Sequence, residues 1–483
     1  MKTKFHKIAL LSLFVFFSPV FSNRVHPYLV FDRDGGNDSN SGEQKAKEKK
    51  NPSPTNWGGN TLVQEDREVQ GAKITTFILD GGAWFFHNKV KLESNKLEIF
   101  GTDAVAANLI GGIKITDSEK NSVLYAKKGD YDKFKSVLTL KGNPTLHHTD
   151  SSNKKILFQS EEIQRNLDTR QTFFKGKVLI SGENFLIQGE DAVFEEDSEI
   201  LTMSNFPFIM SEEFFANGEK LIYDRNMNVI GLEGNAKIFT LNVPNSGNGI
   251  KDKFQKKEAS KAKESNTESK TSAVAKTKNA ANSEENSEDA KAAPKEKELN
   301  IFSGNRLIYQ SGEEGFIFME GEARYLSPSG DFKADKITAK GKNKKDLLAE
   351  GNVSFLDMES ATLLRGELLE HFDETQYSHV TNDSKIEFLN KETKEVSSTL
   401  KAAEIERFGD RKEIVTRGDV EVETPSSKIF CEFGTYFEET EIMVLEGNPI
   451  LDKEGDQVRS GKITLYPKED RAILSDGIRV GGN

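Results

Sequence analysis

Residues 221–240, LIYDRNMNVIGLEGNAKIFT, decide the fold of this chain. Apolar residues alternate with polar ones on both sides of the polar segment 224–228, and the second arm contains the pair Gly234-Asn235. Alternation with a period of two indicates strands that bury one face, and the polar segment between them is typical of a turn. The stretch therefore predicts two antiparallel strands, a unit that would be only marginally stable by itself.

The glycine-centred core of this unit recurs along the chain. Gly321 and Gly351 lie 30 residues apart, and Gly418 and Gly447 lie 29 apart, so the period is near 30. Between successive cores falls a second motif, in which a small residue and polar residues precede alternating apolar ones. Two strands per period follow, and the chain is predicted to be a repeat protein. The cores are LKGNP at Gly142, FKGKV at Gly176, MEGEA at Gly321, AEGNV at Gly351, TRGDV at Gly418 and LEGNP at Gly447; the second motif includes GEDAVF at Gly189, FSGNRLIY at Phe302 and SGKITLYP at Ser460.

In the strand that contains each glycine, the sequence indicates which positions face the core and which face solvent. Positions two and four after the glycine are mostly apolar, whereas the flanking positions hold Lys177, Lys237, Ser354 and Glu421. One buried face and one solvated face are predicted, with the glycine itself on the buried face as a bend, a bulge or a close backbone approach. The apolar residues of this phase are candidates to line a lipid groove or to fill a closed core: Val178, Ile180, Ile238, Val353, Phe355, Val420 and Val422.

Composition favours a thin β array over a thick globule. Of 483 residues, 35% are hydrophobic and 30% are charged, and the net charge is −12. No basic patch with interleaved aromatic residues is present, so nucleic acid is not an expected partner. The 33 Phe residues far outnumber the 9 Tyr and 2 Trp, which is typical of a hydrophobic core or of a lining for an apolar ligand.

The N-terminus predicts export. Lys2, Lys4 and Lys7 precede the apolar run 8–17, and Ser22 offers a cleavage point, so residues 1–22 read as a secretory signal peptide. The run is too short to favour a spanning helix, and an uncleaved inner-membrane anchor is the alternative to a cleaved signal. Residues 23–60 are predicted to be a disordered tether. Within it, a calcium loop is a weak alternative, with acidic residues Asp32, Asp34, Asp38 and Glu43 but no flanking helices.

Two β arrays are predicted, 61–244 and 300–483, on either side of a segment with no apolar period. That segment, 245–299, consists largely of Lys, Glu, Ser, Ala and Asn and is predicted to be a disordered insertion. The arrays are expected to form either one continuous array or two modules in tandem. At the C-terminus, Leu474, Ile478 and Val480 predict a terminal strand whose open edge is available for association.

The sequence carries no motif that indicates catalysis or metal binding. His147 and His148 are adjacent in a predicted strand, so their rings should point to opposite faces and cannot chelate together. The single Cys431 reads as a small half-buried strand residue. There is no glycine-rich phosphate loop and no nucleophile elbow. We expect no catalytic residue, no metal, no cofactor and no enzymatic activity.

Taken together, the export signal, the repeated small-polar-apolar half and the L-x-G-N-V/P core resemble the OstA-like proteins. This is the superfamily of the lipopolysaccharide-transport proteins LptA and LptC, which also supplies the N-terminal domain of LptD. The resemblance covers about residues 61–480 outside the insertion, and this chain is longer than a single LptA-type module.

The resemblance implies an all-β, elongated, twisted open β-jellyroll that shields lipid A acyl chains in an apolar groove. It further implies a periplasmic bridge, with lipopolysaccharide or a related acylated lipid as ligand. Lpt components of the inner and outer membranes would be partners through edge-strand pairing, and head-to-tail self-association is possible in such a family. The alternatives are a passive β-repeat scaffold or surface protein without lipid cargo, and a parallel β-helix acting on polysaccharide, which would need shorter rungs.

Overall fold

The computed structural model describes residues 56–69, 72–87, 89–150, 152–242, 298–312, 314–341, 344–469 and 471–481. In these ranges every strand pairs antiparallel, and a 3-10 turn lies at Pro467–Glu469. No helix in the described part of the chain is long and apolar enough to cross a membrane. The all-β prediction is confirmed. The predicted signal peptide, the calcium-like loop and nearly all of the insertion lie outside the described residues.

Long strands bend in their middle, whereas short strands occur where the chain breaks. The first sixteen are β1 Asn56–Gly58, β2 Thr61–Val69, β3 Ala72–His87, β4 Val90–Phe100, β5 Ala106–Asp117, β6 Ser122–Asp132, β7 Val137–Lys141, β8 Thr145–Thr149, β9 Lys155–Gln159, β10 Glu162–Asn166, β11 Gln171–Ser181, β12 Phe185–Glu195, β13 Ile200–Ser204, β14 Phe208–Ser211, β15 Phe214–Asn217 and β16 Lys220–Asp224. The remaining sixteen are β17 Val229–Asn242, β18 Glu298–Gln310, β19 Ile317–Leu326, β20 Gly330–Lys340, β21 Asp346–Asp357, β22 Thr362–Phe372, β23 Tyr377–Leu389, β24 Val396–Phe408, β25 Glu413–Glu423, β26 Lys428–Phe437, β27 Ile442–Glu446, β28 Ile450–Lys453, β29 Asp456–Arg459, β30 Lys462–Tyr466, β31 Arg471–Ser475 and β32 Arg479–Gly481.

Each long strand bends in its middle and belongs to two half-sheets. In β21, residues 346–350 pair with the ends of β20 and β22, and after a register shift residues 353–357 pair with their other halves. We call the two layers half-sheet I and half-sheet II. Half-sheet I contains β2, β7, β10, β13, β16, β27, β30 and β31, half-sheet II contains β1, β8, β9, β14, β15, β28, β29 and β32, and every other strand contributes one half to each.

The bend lies at the repeated glycine. Gly234 and Asn235 have φ of 68° and 48°, and Gly351 and Asn352 have φ of 74° and 49°. Two successive left-handed residues make a β-bulge, and Gly followed by Asn is the pair that adopts this conformation at the lowest cost. The bulge is confirmed, but the expected place of the glycine on the buried face is wrong. Each of these glycines is half-buried at the hinge, and an added Cβ at Gly351 would meet the Asp335 side chain at 2.4 Å.

The core lies between the half-sheets. Inward-facing apolar residues of both layers form one cluster that continues from β3 to β30, and the outward positions carry most of the charged residues. The hairpin turns of half-sheet I line one long edge, and those of half-sheet II line the other. The two edges face each other opposite the glycine hinge. We call the space between these edges the mouth of the jellyroll.

The strands on either side of the insertion belong to the same sheet. β17 pairs with β18 along both half-sheets, from Val229 opposite Gln310 to Asn242 opposite Glu298. The segment 243–297 therefore connects two adjacent strands at the half-sheet II edge. At the other end, β1 lies inside the range predicted to be a disordered tether. The ring of Trp57 in this strand packs 5.3 Å from that of Phe77.

Candidate functional site: the interior and mouth of the jellyroll

The seven groove candidates all point into the space between the half-sheets. Phe355 is the most exposed of them at 5%, and Ile238 and Val422 are fully buried. The polar residues that flank them face outward. The phase predicted from the sequence is therefore correct. All seven belong to the same apolar core, so access to the interior depends on the mouth.

A buried triad bridges the mouth near its N-terminal part. Arg165, on β10 of half-sheet I, donates from Nη2 to Asp117 Oδ2 at 2.6 Å and to Glu196 Oε2 at 2.7 Å. Asp117 ends β5 in half-sheet II, and its Oδ1 accepts the backbone N–H groups of its own hairpin turn. The Arg165 side chain is only 1% exposed. Because Asp117 and Arg165 come from different layers, this triad holds the mouth shut.

A second buried network lies beside the first. His148 Nε2 lies 2.7 Å from Glu199 Oε1, and Arg225 contacts both Glu199 and Asp150, the latter at 2.6 Å. His148 and Asp150 belong to the edge of half-sheet II, whereas Glu199 and Arg225 lie in turns of half-sheet I. Further out, Arg170 with Glu119 and Lys120 with Asp197 make half-exposed bridges across the same edges. We call this whole set of ion pairs, between residues 117 and 225, the ionic lock.

Desolvation shapes the ionic lock. Burial raises the pKa of Glu196, and the opposing charge of Arg165 and a hydrogen bond from Thr172 only partly offset that effect. Among the described residues, Arg165 Nε and Nη1 and His148 Nδ1 are buried without a hydrogen-bond partner. Removing one partner from such a dry network leaves the other charges unpaired, which is costly. Breaking a single contact of the lock is therefore costly.

Aromatic contacts extend the closure beyond the lock in both directions. Towards the N-terminus, the rings of Phe85 and Tyr131 meet across the mouth at 5.3 Å. Towards the C-terminus, Tyr309 of half-sheet I donates to Glu213 of half-sheet II at 2.9 Å, and its ring lies 4.5 Å from that of Phe214. The described mouth is thus bridged from Phe85 to Tyr309.

Past Tyr309 the mouth holds a cavity of about 290 Å³ that is partly open to solvent. Its floor is a ladder of inward aromatic rings on adjacent strands of half-sheet II. Tyr325 and Phe332 lie 5.8 Å apart, and Phe332 stacks on Phe355 at 3.8 Å. His371 of half-sheet I faces this ladder, 5.7 Å from Phe332. We call this opening, between residues 300 and 439, the port.

The rim of the port is polar and carries both signs of charge. Its basic residues are Lys345, Lys391, Arg407 and Lys412, and its acidic residues are Asp357, Glu359, Asp373, Glu438 and Glu439. Arg407 on half-sheet I spans the rim, with Nη1 2.7 Å from Asp357 Oδ2 and Nε 2.7 Å from Glu438 Oε1. Beyond the rim, Phe388 and Tyr436 close the mouth again with their rings 4.7 Å apart.

The Arg407 triad repeats the Arg165 triad. Glu196 follows Arg165 by 31 residues and Glu438 follows Arg407 by the same 31. Asp357 ends β21 as Asp117 ends β5, and its Oδ1 likewise accepts two backbone N–H groups of its turn, both at 2.9 Å. The two halves of the array therefore carry equivalent triads. One is sealed by its neighbours, and the other lies beside a cavity.

His371 is the titratable group of the port floor. Burial lowers the pKa of His371 to about 4, so the imidazole is neutral at physiological pH. Its Nδ1 lies 2.9 Å from Ser378 Oγ. The neutral imidazole places no charge against the aromatic ladder that it faces.

The other residues singled out in the sequence lie elsewhere. Leu474 packs against the core at the end of β31, while Ile478 and Val480 are 55% and 77% exposed. The single terminal strand predicted there is broken at Asp476-Gly477, because both residues have positive φ, and its parts join different half-sheets. Cys431 is buried, and burial raises the pKa of its thiol to about 11. No group of His, Cys, Asp and Glu that could hold a metal occurs among the described residues.

The triads and the port were missed at the level of sequence. Their signal is an acidic residue that ends a strand, combined with an Arg on a strand of the opposite edge. The glycine repeat gives the strand order but not which hairpin turns meet across the mouth. In an acidic chain with 78 Asp and Glu residues, these carboxylates do not stand out.

No protein-family model and no curated protein matches the chain. Among solved structures, the chain is similar to the crystal structure of LptH, described as the LptA homologous periplasmic component of the conserved lipopolysaccharide transport device from Pseudomonas aeruginosa. The two share 12% identity, the alignment covers 32% of this chain and 82% of that one, and the TM-score is 0.18. A likeness with so low a TM-score carries no argument about what this chain does.

Proposed function

We propose that this protein binds acylated lipid between its half-sheets and carries it through the periplasm, with lipopolysaccharide as the expected cargo. The observation that carries the proposal is the port, where a solvent-accessible cavity reaches the aromatic ladder of a core that continues along the array. A site for an acyl chain needs an apolar floor in contact with water-accessible space. The resemblance of the repeats to OstA-like proteins supports lipopolysaccharide as the lipid.

Open strand edges support a role in a larger assembly. Within the described chain, β2 pairs only with β3, and β31 pairs only with β30, so both ends of half-sheet I leave a strand edge unpaired. Leu62 and Val63 on β2 are 53% and 48% exposed. Such edges suit pairing with another β-strand, either of an Lpt-type partner or of a second copy of this chain.

A passive scaffold is the second candidate. The burial of all seven groove candidates favours it, since a closed apolar core needs no ligand. The two functions differ at the port. A scaffold gains nothing from an open cavity over Tyr325, Phe332 and Phe355, whereas a carrier requires an opening of this kind.

Lipid binding by purified protein tests the proposal. A fluorescent fatty-acyl probe would be titrated into the full chain and displaced by lipopolysaccharide or by a diacyl phospholipid. We expect saturable binding that Phe355→Asp weakens by at least about tenfold, which corresponds to ~1.4 kcal/mol of binding free energy. Phe430→Asp is the matched control, because Phe430 is 42% exposed on the outer face of half-sheet II.

Melting temperatures of both variants, measured on the same samples, separate lost binding from lost structure. Absence of saturable binding to the unmodified chain would contradict the carrier function and leave the scaffold. Displacement by phospholipid but not by lipopolysaccharide would keep lipid carriage and exclude the expected cargo.

A further inference from the structure

We propose that an acyl chain enters sideways through the port, and that the ion pair between Arg407 and Asp357 must open to let it pass. This inference rests on the proposed function and adds the place where the ligand crosses the mouth. In the described part of the chain, the mouth is bridged from Phe85 to Tyr309 and again at Phe388 with Tyr436. Between these closures, the Asp357–Arg407 ion pair joins the two edges.

The two equivalent triads differ in what opening would cost. At Arg165, separation of the half-sheets would leave Asp117 without its cation at 4% side-chain exposure, inside the ionic lock, while Glu196 would stay beside Arg165 on half-sheet I. Asp357 and Glu438 are 9% and 12% exposed and line the cavity, which is partly open to solvent. A carboxylate that can be hydrated loses far less when its cation leaves than a dry one does. The Arg407 triad is therefore the one that opens more easily.

The hydrogen bonds of Asp357 permit opening at this triad, as the equivalent bonds of Asp117 would at the other. Its Oδ1 keeps two backbone N–H donors from Glu359 and Ser360 whether or not Arg407 is in place. The departing guanidinium keeps Glu438, which holds both Nε at 2.7 Å and Nη2 at 3.4 Å. Arg407 can thus let go of half-sheet II while it remains paired on half-sheet I. The edges can part without an orphaned charge.

The shape of the port defines the ligand. A volume of about 290 Å³ lies just below the roughly 300–1,000 Å³ typical of small-molecule sites. It admits one chain over Phe332 and Phe355, and it does not admit a whole multi-chain lipid at once. The mixed-charge rim keeps a polar head at the surface. The ligand class is an amphiphile whose chain threads past Arg407 while its head stays at the rim.

Crosslinking across the port tests this route. Glu359 on half-sheet II and Gln376 on half-sheet I are exposed, line the port from opposite edges, and lie outside the triad. Glu359→Cys with Gln376→Cys, in a Cys431→Ser background, would be joined by bismaleimides of graded length before or after addition of the fluorescent fatty-acyl probe. Glu359→Cys with Lys391→Cys is the matched control, because both residues lie on the half-sheet II edge and their crosslink does not span the mouth.

A crosslink between positions 359 and 376 that is formed before the probe is added is expected to slow association by about tenfold or more. The same crosslink formed afterwards is expected to slow release by a similar factor. The control crosslink should change neither rate. Unchanged association after complete crosslinking across the port would overturn the port while leaving the proposed function standing. Failure of the uncrosslinked double variant and of the unmodified chain to bind the probe would overturn both.

Discussion

Arg165 and Arg407 make the same contacts in the two halves of the array. Each joins an Asp that ends a strand of half-sheet II to a Glu that follows, by 31 residues, in a turn of half-sheet I. The first arginine is 1% exposed and the second 12%. The first bridge lies inside the ionic lock, and the second stands beside the cavity of the port.

Loss of the sealed triad should strongly destabilise the array. Arg165→Met leaves Asp117 and Glu196 buried without their cation, and we expect a loss of about 3–5 kcal/mol in the free energy of unfolding. Arg170→Met is the control, since its bridge to Glu119 is half-exposed and should cost less than about 1 kcal/mol. Denaturant titration of both variants measures the difference. Equal losses would mean that the lock is not the main closure.

Loss of the port triad should be milder and should speed ligand uptake. Arg407→Met leaves two carboxylates that water in the cavity can hydrate, so its stability loss should be clearly smaller than that of Arg165→Met. Adding Glu438→Gln removes the repulsion between the carboxylates of Asp357 and Glu438. Stopped-flow binding of the fluorescent fatty-acyl probe should then show faster association. Slower uptake by a folded double variant would argue that Arg407 attracts the ligand instead of barring its way.

The ionic lock should make stability depend on pH. Because the folded pKa of Glu196 is raised above its unfolded value, the folded state holds this proton more tightly, and its contribution to stability falls as pH rises from the unfolded pKa through the folded one. Glu196→Gln removes that contribution. The stability of the native chain relative to Glu196→Gln should therefore decrease from about pH 4 towards neutrality. Chemical denaturation of both proteins at matched pH values checks the slope, and an increase with pH would refute the assignment.

His371 should act in the opposite pH direction. Its pKa falls from 6.5 to about 4, so the stability that it contributes is present above the unfolded pKa and is lost as pH falls between these values. The shift corresponds to at most about 3 kcal/mol. His371→Gln should flatten this part of the stability profile. NMR titration of the imidazole would contradict the prediction if the measured pKa stayed near the 6.5 of an ordinary histidine.

The glycine hinge can be tested by one methyl group. Gly351→Ala requires an L-residue at φ 74° and brings its Cβ to 2.4 Å from Asp335, so we expect a loss of about 2–3 kcal/mol. Gly312 also has a positive φ, of 99°, but a Cβ added there would meet nothing within 4 Å. Gly312→Ala is therefore the control. It should cost only about 1–2 kcal/mol, the conformational part. An equal loss of stability in Gly351→Ala and Gly312→Ala would indicate that close approach at the hinge is unimportant.

The segment 243–297 should be dispensable for folding. β17 and β18 pair along their whole length, so a short Gly-Ser loop can join Asn242 to Glu298, and shortening a loop changes closure entropy only slowly. The circular-dichroism spectrum and melting temperature of such a deletion variant should match those of the full chain. A marked fall in either would show that the segment contributes to the array.

The repeat, the strand phase and the buried set were predictable because they rest on local rules. Alternation places Ile238 and Phe355 inward, and Gly followed by Asn places the bulge. The triads were not predictable, because Asp117 meets Arg165 only after several hairpins have set which turns face each other. The glycine was assigned to the wrong face because two left-handed residues interrupt the alternation at the hinge.

Photocrosslinking with an acyl lipid that carries a diazirine in its chain tests the central claim most directly. Light-induced adducts on the unmodified protein would be mapped by peptide mass spectrometry. We predict adducts on the inward residues of the port, Tyr325, Phe332, Phe355 and His371, and none on the outward Phe215 or Phe430. Adducts confined to outward residues, or no saturable adduct at all, would contradict an interior lipid site.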